Sequence, residues 1–65
     1  MRLDVNGATR EVAAETLDAL LIEVGADPAS VATALNGEFV PRGQRAATRL
    51  DEGARVEIVA PMQGE

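Results

Sequence analysis

Thr16-Leu17-Asp18-Ala19-Leu20-Leu21-Ile22-Glu23-Val24-Gly25 is the stretch on which the fold turns. Leu17, Leu20, Leu21 and Val24 recur at i, i+3, i+4 and i+7, which stacks them on one face of an α-helix. Thr16 is placed to cap the N-terminus, Glu15 and Asp18 sit near the positive end of the helix dipole, and Gly25 is placed to end the helix in a left-handed conformation. Asp27-Pro28 then keeps the helix from resuming. One apolar stripe of this width needs a surface to cover it, and the flanking sequence supplies strands.

Upstream, Met1, Leu3 and Val5 alternate with Arg2 and Asp4, the period-two pattern of a half-buried strand. Asn6-Gly7 tolerates the positive φ angles of a tight hairpin turn, and Ala8 to Val12 reads as the returning strand. Downstream, Val31 to Leu35, Asn36-Gly37 and Glu38-Phe39-Val40 repeat the hairpin signal, closed by Pro41. Arg42 to Leu50 has a weak pattern compatible with a helical turn in which Ala46, Ala47 and Leu50 share a face. Asp51-Glu52-Gly53 turns the chain into Arg55 to Ala60, where Val56 and Ile58 point inward and Val59 outward. That apolar content suits a central strand. The predicted order is β-β-α-β-β-β, an α+β mixed sheet of about five strands with one main helix packed across one face. Residues 1–60 form the domain, and residues 61–65, beyond the periodic pattern, form a flexible C-terminal tail.

Composition narrows the chemistry. At 65 residues the chain supports one domain with a thin core. It has no cysteine, histidine, tyrosine, tryptophan or lysine, which excludes disulfides, thiolate or imidazole metal sites, a cysteine nucleophile and Schiff-base chemistry. Eleven acidic residues against six arginines give a net charge of −5, which disfavours nucleic acid and anionic membranes and favours a basic protein partner. No segment has the apolar run of a signal peptide or a transmembrane helix, so a soluble, cytoplasmic chain is expected, monomeric on its own.

The opening Asn6-Gly7 hairpin, the helix Thr16 to Gly25, the run Leu35-Asn36-Gly37-Glu38-Phe39-Val40-Pro41-Arg42, the turn Asp51-Glu52-Gly53 and the ending Arg55-Val56-Glu57-Ile58-Val59-Ala60-Pro61-Met62-Gln63-Gly64 together resemble the ThiS family of sulfur carriers, over essentially the whole chain. The resemblance implies a ubiquitin-like β-grasp fold and a protein that is a cosubstrate and not an enzyme. In that family a C-terminal glycine carboxylate is adenylated by an E1-like enzyme of the ThiF type using ATP. It is then converted, with a sulfur donor protein, to a thiocarboxylate that thiazole synthase of the ThiG type consumes. The carrier itself binds no cofactor. A related carrier, the small subunit of molybdopterin synthase, shares fold and tail chemistry but tends to be longer.

Family members end in Gly-Gly, whereas Gly64 is followed here by Glu65. Glu65 is an added residue, is trimmed to expose Gly64, or impairs activation. A bulky anion at the terminus is expected to clash with a channel shaped for glycine and to repel the incoming phosphates. If the tail has no such chemistry, the chain is a ubiquitin-like interaction module; an RNA-binding β-grasp is disfavoured by the charge.

Other residues carry a structural and a functional reading. Phe39, the sole aromatic, is either a core anchor or part of an apolar docking patch with Val59 and Met62. Arg42, Arg45 and Arg49 either form a solvated face balancing nearby acids or bind an acidic partner; the family often has an apolar residue where Arg45 stands. Partner contacts are expected from Phe39, Arg42, Val59, Met62 and Gln63. The pairs Asp51 with Glu52 and Glu11 with Glu15 resemble solvated turn carboxylates more than acid/base or metal centres.

Overall fold

The computed structural model describes residues 1–60, so Met62, Gln63, Gly64 and Glu65 and the expected tail lie outside the described residues. Strands β1 (Arg2–Val5) and β2 (Ala8–Glu11) precede helix α1 (Leu17–Glu23). Strands β3 (Ala32–Leu35) and β4 (Glu38–Val40), a 3₁₀ helix over Arg42–Ala47 and strand β5 (Arg55–Val59) follow. The five strands form one mixed sheet in the order β2-β1-β5-β3-β4. The predicted element order and the central place of β5 are therefore observed.

Both hairpins turn at Asn-Gly, with φ of 53° at Asn6 and 51° at Asn36 and each following glycine also in the left-handed region. Asparagine and glycine tolerate these angles best, which is why the two dipeptides mark the turns. Strand β1 pairs antiparallel with β2 and parallel with β5, while β3 pairs antiparallel with both β4 and β5. The returning strand stops one residue short of Val12, whose N–H still donates to the Met1 carbonyl (2.8 Å) and whose side chain turns into the core.

In α1 the Thr16 hydroxyl accepts from the Ala19 N–H at 3.2 Å, and Gly25 follows with φ of 80°. Leu17, Leu20 and Leu21 are fully buried. Leu17 and Leu20 pack with Leu3, Val5, Val40, Leu50 and Val56, joining the helix to the inner face of the sheet. Each such leucine contributes on the order of 2 kcal/mol of burial free energy. The helix start is pinned from outside: Leu17 N–H donates to Thr48 O (2.9 Å), Leu50 N–H donates to Glu15 O (3.0 Å), and Thr16 bridges Arg49.

The segment after Pro41 differs from expectation in which face is buried. Three residues per turn put Arg42 and Arg45 on one side. Arg45 is only 3% exposed, whereas Ala46 and Ala47 face solvent. Of the predicted apolar face only Leu50 is buried. The reason is the ring of acceptors below Arg45: Nε donates to Thr33 Oγ1 (3.1 Å), and its terminal nitrogens donate to Pro28 O (2.8 Å) and Val31 O (2.6 Å). A guanidinium with three placed acceptors repays its desolvation, which an alanine methyl at the same place would not need.

Candidate functional site

Strand direction decides where the site lies. Because β1 runs parallel to β5 and β3 antiparallel to it, the first hairpin turn and the start of β3 lie at the end of the sheet from which the chain leaves β5. The second hairpin turn lies at the opposite end, next to Arg55. Residues 59 and 60, the last described, therefore emerge between the Asn6-Gly7 turn and the 27–31 loop.

Alternation along β5 puts Val56 and Ile58 on the inner face and Arg55, Glu57 and Val59 on the outer one. Register adds Ala34 opposite Phe39 and Ala32 opposite Val59, so Phe39, Ala34, Ala32 and Val59 share the outer face. Phe39 is 69% exposed and Val59 60% exposed. Phe39 is thus not a core anchor, since odd-numbered β4 residues point away from the helix while Val40 fills the core. Two strand spacings across the sheet and two residues along it separate Phe39 from Val59, roughly 12 Å, with Ala34 and Ala32 between them. The other half of the outer face is charged, with Asp4 opposite Arg55 and a hollow of ≈ 330 Å³ lined by Asp4, Gly7, Arg55, Val56 and Glu57.

Beside Val59 a second hollow, of ≈ 300 Å³, is bordered by Ala29, Ser30, Val31 and Ala32. Its wall is held by side chains. Asp27 accepts from the Ala29 N–H (3.0 Å) and the Ser30 hydroxyl (2.8 Å), and Arg42 donates to Ala29 O (3.1 Å). The Ser30 hydroxyl first, then the Ala29 N–H, with the Arg42 charge adding to both, hold the Asp27 carboxyl below its ordinary value. Arg42 and Arg45 together thus fix the carbonyls of Pro28, Ala29 and Val31. Arg45 is a buried structural cation, not part of a solvated face, and Arg49 points elsewhere, 3.5 Å from Glu15 in an exposed ion pair.

The carboxylates do not converge. Glu52 accepts from the Arg2 N–H (3.1 Å), Glu11 lies 3.4 Å from the N-terminal ammonium, and Glu15 pairs with Arg49. Among the described residues no three His, Cys, Asp or Glu side chains cluster as metal ligands, and no helix is long and apolar enough to cross a membrane. Two contacts were not anticipated. Glu23 accepts from the Ala13 and Ala14 N–H groups (2.8 Å to Ala14), tying the loop before the helix to its last turn, and Asn6 bonds across to Ile58. Only the exposed amide donors of an unpaired loop could have hinted at the first.

Residues 3–64 match the model of the ThiS family. The chain belongs to the ThiS family. The ThiS crystal structure from Geobacter metallireducens, a thiamine biosynthesis protein, superposes with a TM-score of 0.85 at 35% identity, covering all of both chains. A solution structure of a thiamine biosynthesis protein from the same organism gives 0.81 at 32% identity, covering all of this chain and 88% of that one. The chain is also 40% identical over 65 residues to a thiazole synthase of Paramagnetospirillum magneticum, spanning 98% of itself and only 20% of that protein. The ubiquitin-like β-grasp fold expected from the resemblance is the ThiS fold found here.

Proposed function

We propose that the chain is a sulfur carrier of thiamine biosynthesis, with Gly64 as the residue whose carboxylate carries the sulfur. The observation that carries this reading is the ThiS family match, which runs to residue 64 and leaves Glu65 beyond it. The solved neighbour, determined both in the crystal and in solution, is a thiamine biosynthesis protein, which favours the thiazole branch over a molybdopterin-synthase role. A thiazole synthase that contains a stretch similar to the whole chain supports thiazole synthase as a partner.

The chemistry needs little from the carrier beyond presentation. After a peptidase hydrolyses the Gly64–Glu65 bond with water and releases glutamate, a freed Gly64 carboxylate oxygen attacks the α-phosphorus of ATP held by a ThiF-type enzyme, pyrophosphate leaves, and an acyl-adenylate forms. Sulfur delivered by a donor protein at the sulfide level then attacks the Gly64 carbonyl carbon and displaces AMP, giving the thiocarboxylate that thiazole synthase consumes. ATP is the activating partner's substrate, and the carrier works in the cytoplasm as a monomer between encounters. Glycine at the terminus lets the chain thread a narrow channel, and the sheet fixes its base. Phe39 and Val59 form the docking strip, Met62 and Gln63 are further partner-contact residues outside the described residues, and Arg42 stabilises the loop at the edge of the strip. The net charge of −5 favours a basic partner surface.

The test compares the chain ending at Gly64 with the chain ending at Glu65, each incubated with a ThiF-type enzyme, ATP and a sulfur donor and followed by intact mass. The Gly64 form should exchange one oxygen for sulfur, and the Glu65 form should react at least about tenfold more slowly, a difference of about 1.4 kcal/mol in the barrier. Equal, efficient conversion with Glu65 retained would refute the assignment of Gly64. No conversion of either form would favour a non-conjugating interaction module.

A further inference from the structure

The exit of β5 has a gap in its hydrogen bonding that one side chain fills. Strand β1 pairs with β5 as far as Val5 opposite Val56, and the Asn6 N–H still donates to Val56 O (2.9 Å). At Asn6 the backbone turns away with φ of 53°. Ile58, two residues further along β5, would then expose both its N–H and its C=O on that edge, with no strand beside it. Instead Asn6 Oδ1 accepts from Ile58 N–H at 2.8 Å and Asn6 Nδ2 donates to Ile58 O at 3.1 Å. A primary amide carries donor and acceptor in one plane, as a peptide group does, so the side chain continues the ladder that the main chain has left. The neighbouring Val59 is held from the other edge, opposite Ala32.

We propose that Asn6 is the positioning residue for the base of the carrier tail: its amide keeps the end of β5 in the sheet and so fixes where, and in what direction, the chain runs at residues 59 and 60. This role rests on the carrier reading for its use, though not for its geometry. The second hairpin provides an internal control. Asn36, at φ of 51°, likewise reaches β5, but its Oδ1 accepts from the Arg55 N–H (2.9 Å), at the end of the strand remote from the tail.

Glycine accepts positive φ, so Asn6→Gly and Asn36→Gly each keep their turn and lose only the side chain. In the full chain, amide hydrogen exchange at Ile58 should rise about tenfold in Asn6→Gly while Val56 keeps its protection, the scale of a lost pair of net hydrogen bonds. Asn36→Gly should raise exchange at Arg55 and leave Ile58 alone. Unchanged protection at Ile58, or an equal rise along the whole of β5, overturns the proposal. With a ThiF-type enzyme and ATP, measured on the full chain and on the chain ending at Gly64, Asn6→Gly should lower kcat about tenfold with little change in KM, because the docking strip is intact. An unchanged kcat in the face of raised Ile58 exchange also overturns the positioning role. Absence of turnover by the unaltered chain counts against the carrier reading alone and leaves the Ile58 exchange to decide on Asn6.

Discussion

The two faces of the β3–β4 hairpin invert the usual distribution of residue types. Behind it Arg45 is 3% exposed, and in front of it Phe39 is 69% exposed. What separates them is the supply of partners. Behind, three oxygens from Pro28, Val31 and Thr33 converge on one guanidinium. In front, alanines at positions 32 and 34 leave a flat strip with nothing among the described residues to cover the ring. Burial follows the availability of complementary atoms within one chain, and on the proposed carrier reading the uncovered aromatic is where a partner supplies them.

The comparison breaks most visibly at Arg45. Arg45→Ala removes three hydrogen bonds and opens a cavity, and should cost about 2–4 kcal/mol in urea unfolding. Arg45→Met replaces the side chain with an apolar one of similar length and should cost only about 1 kcal/mol, since the desolvation of the charge is also removed. If both variants lose the same stability, the hydrogen bonds and not the filled volume dominate at this site.

Phe39 should behave in the opposite way. Phe39→Thr keeps a β-compatible residue on an outer strand, and its unfolding free energy should change by less than about 1 kcal/mol. Binding to a ThiF-type enzyme should weaken about tenfold or more, as expected for an aromatic anchor, measured by calorimetry. A large stability loss with unaltered binding would return Phe39 to a packing role and remove the docking strip.

The inversion explains which features were legible in the sequence. The helix and both hairpins were readable because their signals are local: the leucine spacing from Leu17 to Val24, and the dipeptides Asn6-Gly7 and Asn36-Gly37. Val59 was readable as outward because alternation within one strand fixes it. Arg45 was not, because its acceptors lie 12 to 17 residues away and two of them are main-chain carbonyls, which leave no trace in residue identity. Asn6 is the extreme case. Its turn role is written in the next residue, but its bond to Ile58 spans 52 residues and appears only when β5 enters the sheet. Phe39 stood between, since a three-residue edge strand carries too little alternation to decide its own face.

The smallest expected effect concerns the loop that Arg45 holds from below and Asp27 holds from within. In the folded chain the Asp27 carboxyl titrates below its ordinary value of 3.8, chiefly through the Ser30 hydroxyl, then the Ala29 N–H, with Arg42 adding to both. A lowered folded-state value means that the ionised form is favoured by folding. Its contribution is fully present above the ordinary value and is lost as pH falls through the lower folded one. Asp27→Asn keeps the size of the side chain and removes the charge. Thermal unfolding of the two proteins should therefore differ by a small constant amount at neutral pH, with the aspartate form the more stable, and the curves should converge as pH drops below 3.8. Because Asp27 is exposed, solvent screening keeps this effect below that of Arg45. Curves that stay parallel into acid would mean that Arg42 and Arg45 hold the loop unaided, and that the wall beside Val59 is set wholly by the buried cation and its neighbour.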